Sequence, residues 1–332
     1  MQLVCPAGNL PALMAAVDNG ADAIYVGFRD QTNARAFPGL NFSDVDLTRG
    51  IAYAHQHQRK VYLALNTYPE SARIGEWHSA VDRAADIGVS AIIAADMAVL
   101  DYAARRHSDL ARHLSVQGSA TTQAALRYYH ERFGIVRAVL PRVLSLQQVE
   151  RLCAASPVPL EVFAFGSLCI MVEGRCQLSS YVTGASPNRH GVCSPARFVE
   201  WQEQDDGSRT VRLNGVLIDR YVEGEAAGYP TVCKGRFDVG GEVFHALEEP
   251  TSLNTLSLLP QLARAGVVAL KVEGRQRGAA YVASVAKVWR RAIDEHQASA
   301  ENWSPRPAWQ DELSGHAEGH QTTLGPYHRS WH

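Results

Sequence analysis

The sequence predicts an α/β fold: a (β/α)8 TIM-like barrel with a small β-rich insertion between strands seven and eight. Three observations lead there. Short runs that are apolar throughout alternate with amphipathic helical stretches, the pattern of a parallel sheet covered on its outer side. Eight such runs are present, and eight βα units in about 250 residues plus an insertion suit a closed barrel better than an open doubly wound sheet. No G-x-G-x-x-G follows the first run, as a dinucleotide-binding sheet requires.

Strand one is read at 3–5, followed by Pro-Ala-Gly-Asn and a helix over 10–19. Strand two (23–26) leads through a long loop to a helix that Ser43 caps, and strand three (61–65) ends at Asn66-Thr67 before a helix over 74–87. Strand four (91–95) runs into Asp96, a natural N-cap for the helix over 97–106. Strand five is expected at 114–117 and strand six at 136–140, each with its helix, the second starting at Ser145. Strand seven covers 160–165, where Gly166 is expected to break it, and strand eight covers 267–271. A helix over 251–265 should be split or kinked by Pro260, and a clear helix covers 281–293.

The expected division is 1–165 with 251–299 for the barrel and 166–250 for a cysteine-bearing insertion over its mouth. A tail over 300–332, polar with isolated tryptophans, is expected to dock along the surface. Two pieces of the insertion read as hairpins, one turning at Asp205-Asp-Gly-Ser and one at Gly240-Gly241.

A formal net charge of −2 over 332 residues, with both signs interspersed, argues against a protein that coats nucleic acid. No run approaches the roughly 18 apolar residues of a membrane span. The first residues lack a basic leader, and Pro6 and Gly8 interrupt any apolar stretch, so a cytoplasmic protein is expected. In that reducing compartment six cysteines point to metal ligation or packed thiols over disulfides.

Cys153 shares a helix face with Leu146, Val149 and Leu152, and with Cys5 at the end of strand one it reads as a packed thiol. Cys169, Cys176, Cys193 and Cys233 follow C-x6-C-x16-C-x39-C in loops rich in Gly and Pro, which have little core in which to hide a thiol. We read them as a four-thiolate metal site at the barrel mouth. No C-x2-C pair is present, which tilts away from a zinc ribbon, but spacing leaves zinc and an iron–sulfur cluster both open.

Polar residues after the strands line one end of such a barrel. The candidates for ligand binding are Asn33, Arg35, Asn66, Gln117, Arg142, Glu273 and Arg275, although each taken singly reads first as a helix cap or a rim salt bridge. Arg35, Arg142 and Arg275 converging on one mouth would suit a carboxylate-bearing ligand, which guanidinium grips bidentately. No H-E-x-x-H, G-x-S-x-G or P-loop motif is present, and no catalytic residue is assigned.

The stretch Glu161-Val-Phe-Ala-Phe-Gly-Ser-Leu-Cys169-Ile-Met-Val-Glu-Gly-Arg-Cys176 resembles the signature of the U32 "peptidase" family. With Cys5-Pro-Ala-Gly-Asn-Leu, Thr32-Asn-Ala-Arg, Cys193-Ser-Pro-Ala-Arg-Phe and Val272-Glu-Gly-Arg, the resemblance spans essentially the whole chain and is strongest to the ubiquinone-biosynthesis branch. Phe165 stands where many members carry His, which matches that branch. The resemblance implies a [4Fe–4S] cluster on Cys169, Cys176, Cys193 and Cys233 and a heterodimer with a homologous partner, UbiV. It also implies oxygen-independent hydroxylation of a ubiquinone precursor, free or presented by a lipid-carrier protein, with prephenate as oxygen donor. Hydroxylation of a tRNA or rRNA base, as by other members, and a non-catalytic scaffold role are the alternatives. Nothing in the residues supports peptidase chemistry, which needs an activated nucleophile or a metal with an open position.

Overall fold

The structure, a computed structural model, describes residues 1–36, 39–171, 175–187, 192–300 and 303–328. Eight parallel strands close into a barrel. In chain order they begin β1 (Gln2–Pro6), β2 (Ala23–Val26), β3 (Lys60–Leu65), β4 (Ala91–Ala94), β5 (Arg112–Leu114), β6 (Arg137–Val139) and β7 (Leu160–Ser167). The eighth, Ala269–Val272, is β14 of the whole chain; it pairs with β7 on one side and β1 on the other, which removes both sheet edges.

Successive residues of each strand serve two different cores, because side chains alternate across a strand. Leu3, Ile24, Leu63 and Ile92 face outward into the layer shared with the helices, all fully buried. Their neighbours Val4, Tyr25, Tyr62 and Ile93 pack with Ala269 in a separate cluster inside the barrel. Each buried leucine or isoleucine contributes roughly 1.5–3 kcal/mol relative to exposure.

The helices start where the sequence supplies caps. Ser145 accepts from the Gln148 amide while the Gln148 side chain accepts from the Ser145 amide, a complete capping box on Leu146–Ala155. Asp96 accepts from the amides of Ala98 and Val99, so its role is structural.

The insertion holds a three-stranded antiparallel sheet, β8 (Val199–Glu203), β9 (Arg209–Leu213) and β10 (Val216–Tyr221), and the hairpin β11 (Phe237–Val239) with β12 (Glu242–Phe244). β10 was not expected. Its signal is Asn214-Gly215, both at positive φ (48° and 78°), the pair that makes a tight two-residue hairpin turn.

Three other expectations need correction. β5 lies two residues earlier than read, at Arg112–Leu114, because the polar but buried Arg112 and His113 hide the strand from an apolar pattern. Gly166 does not break β7. It continues the strand at φ 126°, where β13 (Ser252–Asn254) pairs antiparallel with the overhang. The expected helix over 251–265 is therefore β13, a short turn and the helix Leu259–Arg264, with Pro260 in its first turn, where a missing N–H costs nothing.

From the C-terminal stretch, the helix Pro307–His316 buries Trp309 and Leu313, Asn254 donates to Gln310, and β15 (Thr322–Thr323) extends the sheet beside β13. Trp331 lies outside the described residues. Among the described residues, no helix is long and apolar enough to cross a membrane.

Candidate functional site at the barrel mouth

A cavity opens where the strands end. Six of the seven expected ligand-binding residues line it: Arg35, Asn66, Gln117, Arg142, Glu273 and Arg275. The seventh, Asn33, stands behind the wall. Its Oδ1 accepts from Arg275 Nη1 at 2.6 Å and from the Arg35 amide at 3.1 Å, and its Nδ2 donates to the Phe28 carbonyl at 3.0 Å. Asn33 thus aims the Arg275 side chain and pins the backbone of Arg35.

Close backbone approach fixes the same wall. A Cβ at Gly8, in the loop after β1, would sit 2.0 Å from the Arg275 carbonyl oxygen, and one at Gly166 would sit 2.5 Å from Glu273 Cβ. Only glycine fits at either place.

Arg275 is buried, and desolvation brings its guanidinium down to about 10 despite the help of Tyr25 and Glu273. The Arg142 guanidinium carbon sits over the Phe163 ring, 3.9 Å from its centre. The Asn66 side chain accepts from the Ala34 amide, holding the Arg35 loop against β3. Gln117 is buried, and its Oε1 has no hydrogen-bond partner among the described residues. A buried acceptor of that kind is costly unless a ligand supplies the donor.

The residue pattern missed three groups. Tyr25, Phe163 and Lys271 also line the cavity, from inside the strands rather than from the loops after them. The available signal was a charge in the middle of an apolar strand, at Lys271 and at Glu161 beneath it.

The four loop cysteines share an electrostatic neighbourhood with Arg35 of the cavity lining. Cys169 follows β7, and Cys176 caps the helix Gln177–Thr183 with its Sγ 3.3 Å from the Ser179 amide. The Ser179 hydroxyl donates to the Cys193 carbonyl, and Cys233 lies in the turn Val232–Lys234. Burial pushes the Cys193 thiol up to about 12; Arg35 acts against that shift, while Cys169, Cys176 and Cys233 add to it. Cys193 and Cys233 each therefore lie within electrostatic reach of the other three cysteines, and Cys193 also of Arg35.

Among the described residues, no group of three or more His, Cys, Asp or Glu stands in a closed metal-ligating arrangement. The chemistry of the donors, four thiols with Arg35 nearby, suits a thiolate-bound centre. Cys5 and Cys153 do not join them. Cys5 is fully packed, and Cys153, half-buried against the outer core, is pushed up to about 11 by desolvation.

Fold and site together define a (β/α)8 barrel protein with a polar, cationic cavity at the C-terminal ends of its strands and a cysteine-bearing insertion beside it. The chain belongs to peptidase family U32, whose family model matches residues 8–329. It is 29% identical over 315 residues to tRNA hydroxylation protein P1 of Bacillus subtilis (strain 168), covering 94% of this chain and 67% of that protein. It is 30% identical over 326 residues to a protein named collagenase of Porphyromonas gingivalis (strain ATCC BAA-308 / W83), covering 94% and 70%. To the 23S rRNA 5-hydroxycytidine C2501 synthase of Escherichia coli (strain K12) it is 26% identical over 297 residues, covering 89% and 39%. The chain thus spans about two thirds of the first two and well under half of the third.

Proposed function

We propose that the chain is the iron–sulfur subunit of an oxygen-independent ring hydroxylase that acts on a ubiquinone precursor as a UbiU-type protein paired with UbiV. The observation that supports this reading is that Cys193 lies within electrostatic reach of Cys169, Cys176 and Cys233 and of Arg35, one of three arginines that line the cavity. Cys169, Cys176, Cys193 and Cys233 would hold a [4Fe–4S] cluster, which supplies one-electron transfer when bound. The chain's own residues would bind and orient the oxygen donor. Arg35, Arg142 and Arg275 suit the two carboxylates of prephenate, and Gln117 offers an acceptor to a hydroxyl. The insertion would limit water at the mouth.

The names of the relatives favour a second reading, hydroxylation of a tRNA or rRNA base. Two features weigh on the quinone side: the resemblance of the long motifs to the ubiquinone branch, and a net charge of −2, which provides no overall basic surface for RNA. A peptidase reading finds no histidine in the cavity lining to activate Ser115.

Deleting the gene and growing cells without oxygen separates the readings. Loss of ubiquinone with an unchanged set of hydroxylated nucleosides is expected. Normal ubiquinone with a missing hydroxylated nucleoside would transfer the function to RNA. Activity that survives loss of all four cysteines would reduce the chain to a scaffold.

A further inference from the structure

Beneath the arginines, the barrel interior carries charge where such barrels usually carry apolar layers. Lys271, on β14, is 4% exposed and donates to Glu161 Oε1 at 2.8 Å. On the other side, Arg137 Nη1 donates to Glu161 Oε2 at 3.3 Å and Nη2 donates to Gln2 at 2.7 Å. One fully buried carboxylate therefore faces two cations, and the Arg275 guanidinium also lies within electrostatic reach of Lys271. Of the Lys271–Glu161–Arg137 trio only Lys271 reaches the cavity lining, its Nζ 4.1 Å from the centre of the Tyr25 ring. A buried ionic trio is often no more stable than packed hydrocarbon. An excess of positive charge under a cavity of arginines calls for an anion from outside.

We propose that Lys271 is the ligand anchor at the cavity floor, where a carboxylate of a small dianionic ligand docks against its ammonium and the Arg275 guanidinium. Glu161 and Arg137 are positioning residues that fix the amine at the cavity floor. The inference deepens the function proposed above and rests on its reading of the cavity as a carboxylate site.

The geometry has a protonic consequence. Burial lowers the Lys271 pKa against the support of Glu161, and Arg275 and Arg137 lower it further. The other titratable groups around it are Tyr25, His113 and Glu273. An arriving carboxylate shifts the balance back toward the ammonium, so binding in alkaline solution draws a proton onto Nζ.

The test is calorimetric titration of the full chain, with its partner, using prephenate as the probe in two alkaline buffers of different ionisation enthalpy. Thermal unfolding confirms that each variant is folded. Wild type is expected to bind with proton uptake. Lys271→Met should weaken binding about ten- to hundredfold, the effect of losing one charge-assisted hydrogen bond, and abolish the uptake. Lys271→Arg should keep affinity within a few-fold but lose the uptake, since guanidinium stays charged. Glu161→Gln should move the uptake to lower pH. Unchanged affinity and uptake in Lys271→Met, or a wild type that binds no prephenate, would overturn the proposal. Binding as expected in a protein whose deletion leaves ubiquinone intact would keep the anchor and sink the quinone reading alone.

Discussion

Arg275 and Asn33, 242 residues apart in sequence, are joined across the barrel mouth by a buried 2.6 Å hydrogen bond from Nη1 to Oδ1. The bond joins the loop after the last barrel strand to the loop after the second, and it sets where one cavity cation points. Asn33→Ala would leave a buried guanidinium short of an acceptor, at a cost of about 1–3 kcal/mol. Chemical unfolding should show that loss, and prephenate titration should show weaker binding. Unchanged stability and affinity would mean that Arg275 is held by other groups.

Gly8 offers a backbone test of the same wall. A methyl group there meets the Arg275 carbonyl at 2.0 Å, a contact only backbone movement relieves. Gly8→Ala should destabilise by about 1–3 kcal/mol, in the range of overpacked cores. Ligand affinity should fall with it. A variant as stable as the parent would show that the two loops are not in register.

The barrel interior predicts a specific acid sensitivity. Burial holds His113 down to about 3, against an unfolded value near 6.5. Its folded pKa is depressed, so its contribution is complete above the unfolded pKa and is lost as pH falls from there toward the folded one. Between pH 7 and pH 5 that loss is about 2 kcal/mol. His113→Leu should remove most of this slope in unfolding free energy measured at the two pH values. Glu161, which burial raises but Lys271 and Arg137 lower by more, adds its own loss only below about pH 4.5. An unaltered slope in the His113 variant would place the acid-sensitive group elsewhere.

The three mouth arginines make a joint prediction. Replacing Arg35, Arg142 and Arg275 by Met should lower affinity for a dicarboxylate by at least about a hundredfold, given roughly 1.5–3 kcal/mol for each hydrogen bond to a charged group. Titration of the folded triple variant checks it. Full affinity in that variant would rule out the carboxylate reading of the cavity.

Much of this architecture was legible before any coordinates. Apolar runs such as Ile24 and Ile92 mark strands with a covered outer face, and polar residues just past strand ends, such as Arg35 and Asn66, fall at the mouth because every parallel strand ends there. What escaped were features set by pairing across long separations. The strand at Ser252–Asn254 exists because the overhang of β7 offers it a partner, and three residues carry no periodicity of their own. Lys271 and Glu161 stabilise each other over 110 residues of sequence, so each alone looks like an anomaly in an apolar strand. The spacing of the cysteines suggested a shared site; in the fold Cys193 lies within electrostatic reach of the other three, without a closed ligand group among the described residues.

The measurement that bears most directly on the central proposal is metal and sulfide analysis of the protein purified without oxygen together with its partner, alongside a Cys176→Ala variant. The account predicts a brown protein with about four iron and four sulfide per chain, and a colourless, inactive variant. Stoichiometric zinc in place of iron, or full activity in the Cys176 variant, would contradict it.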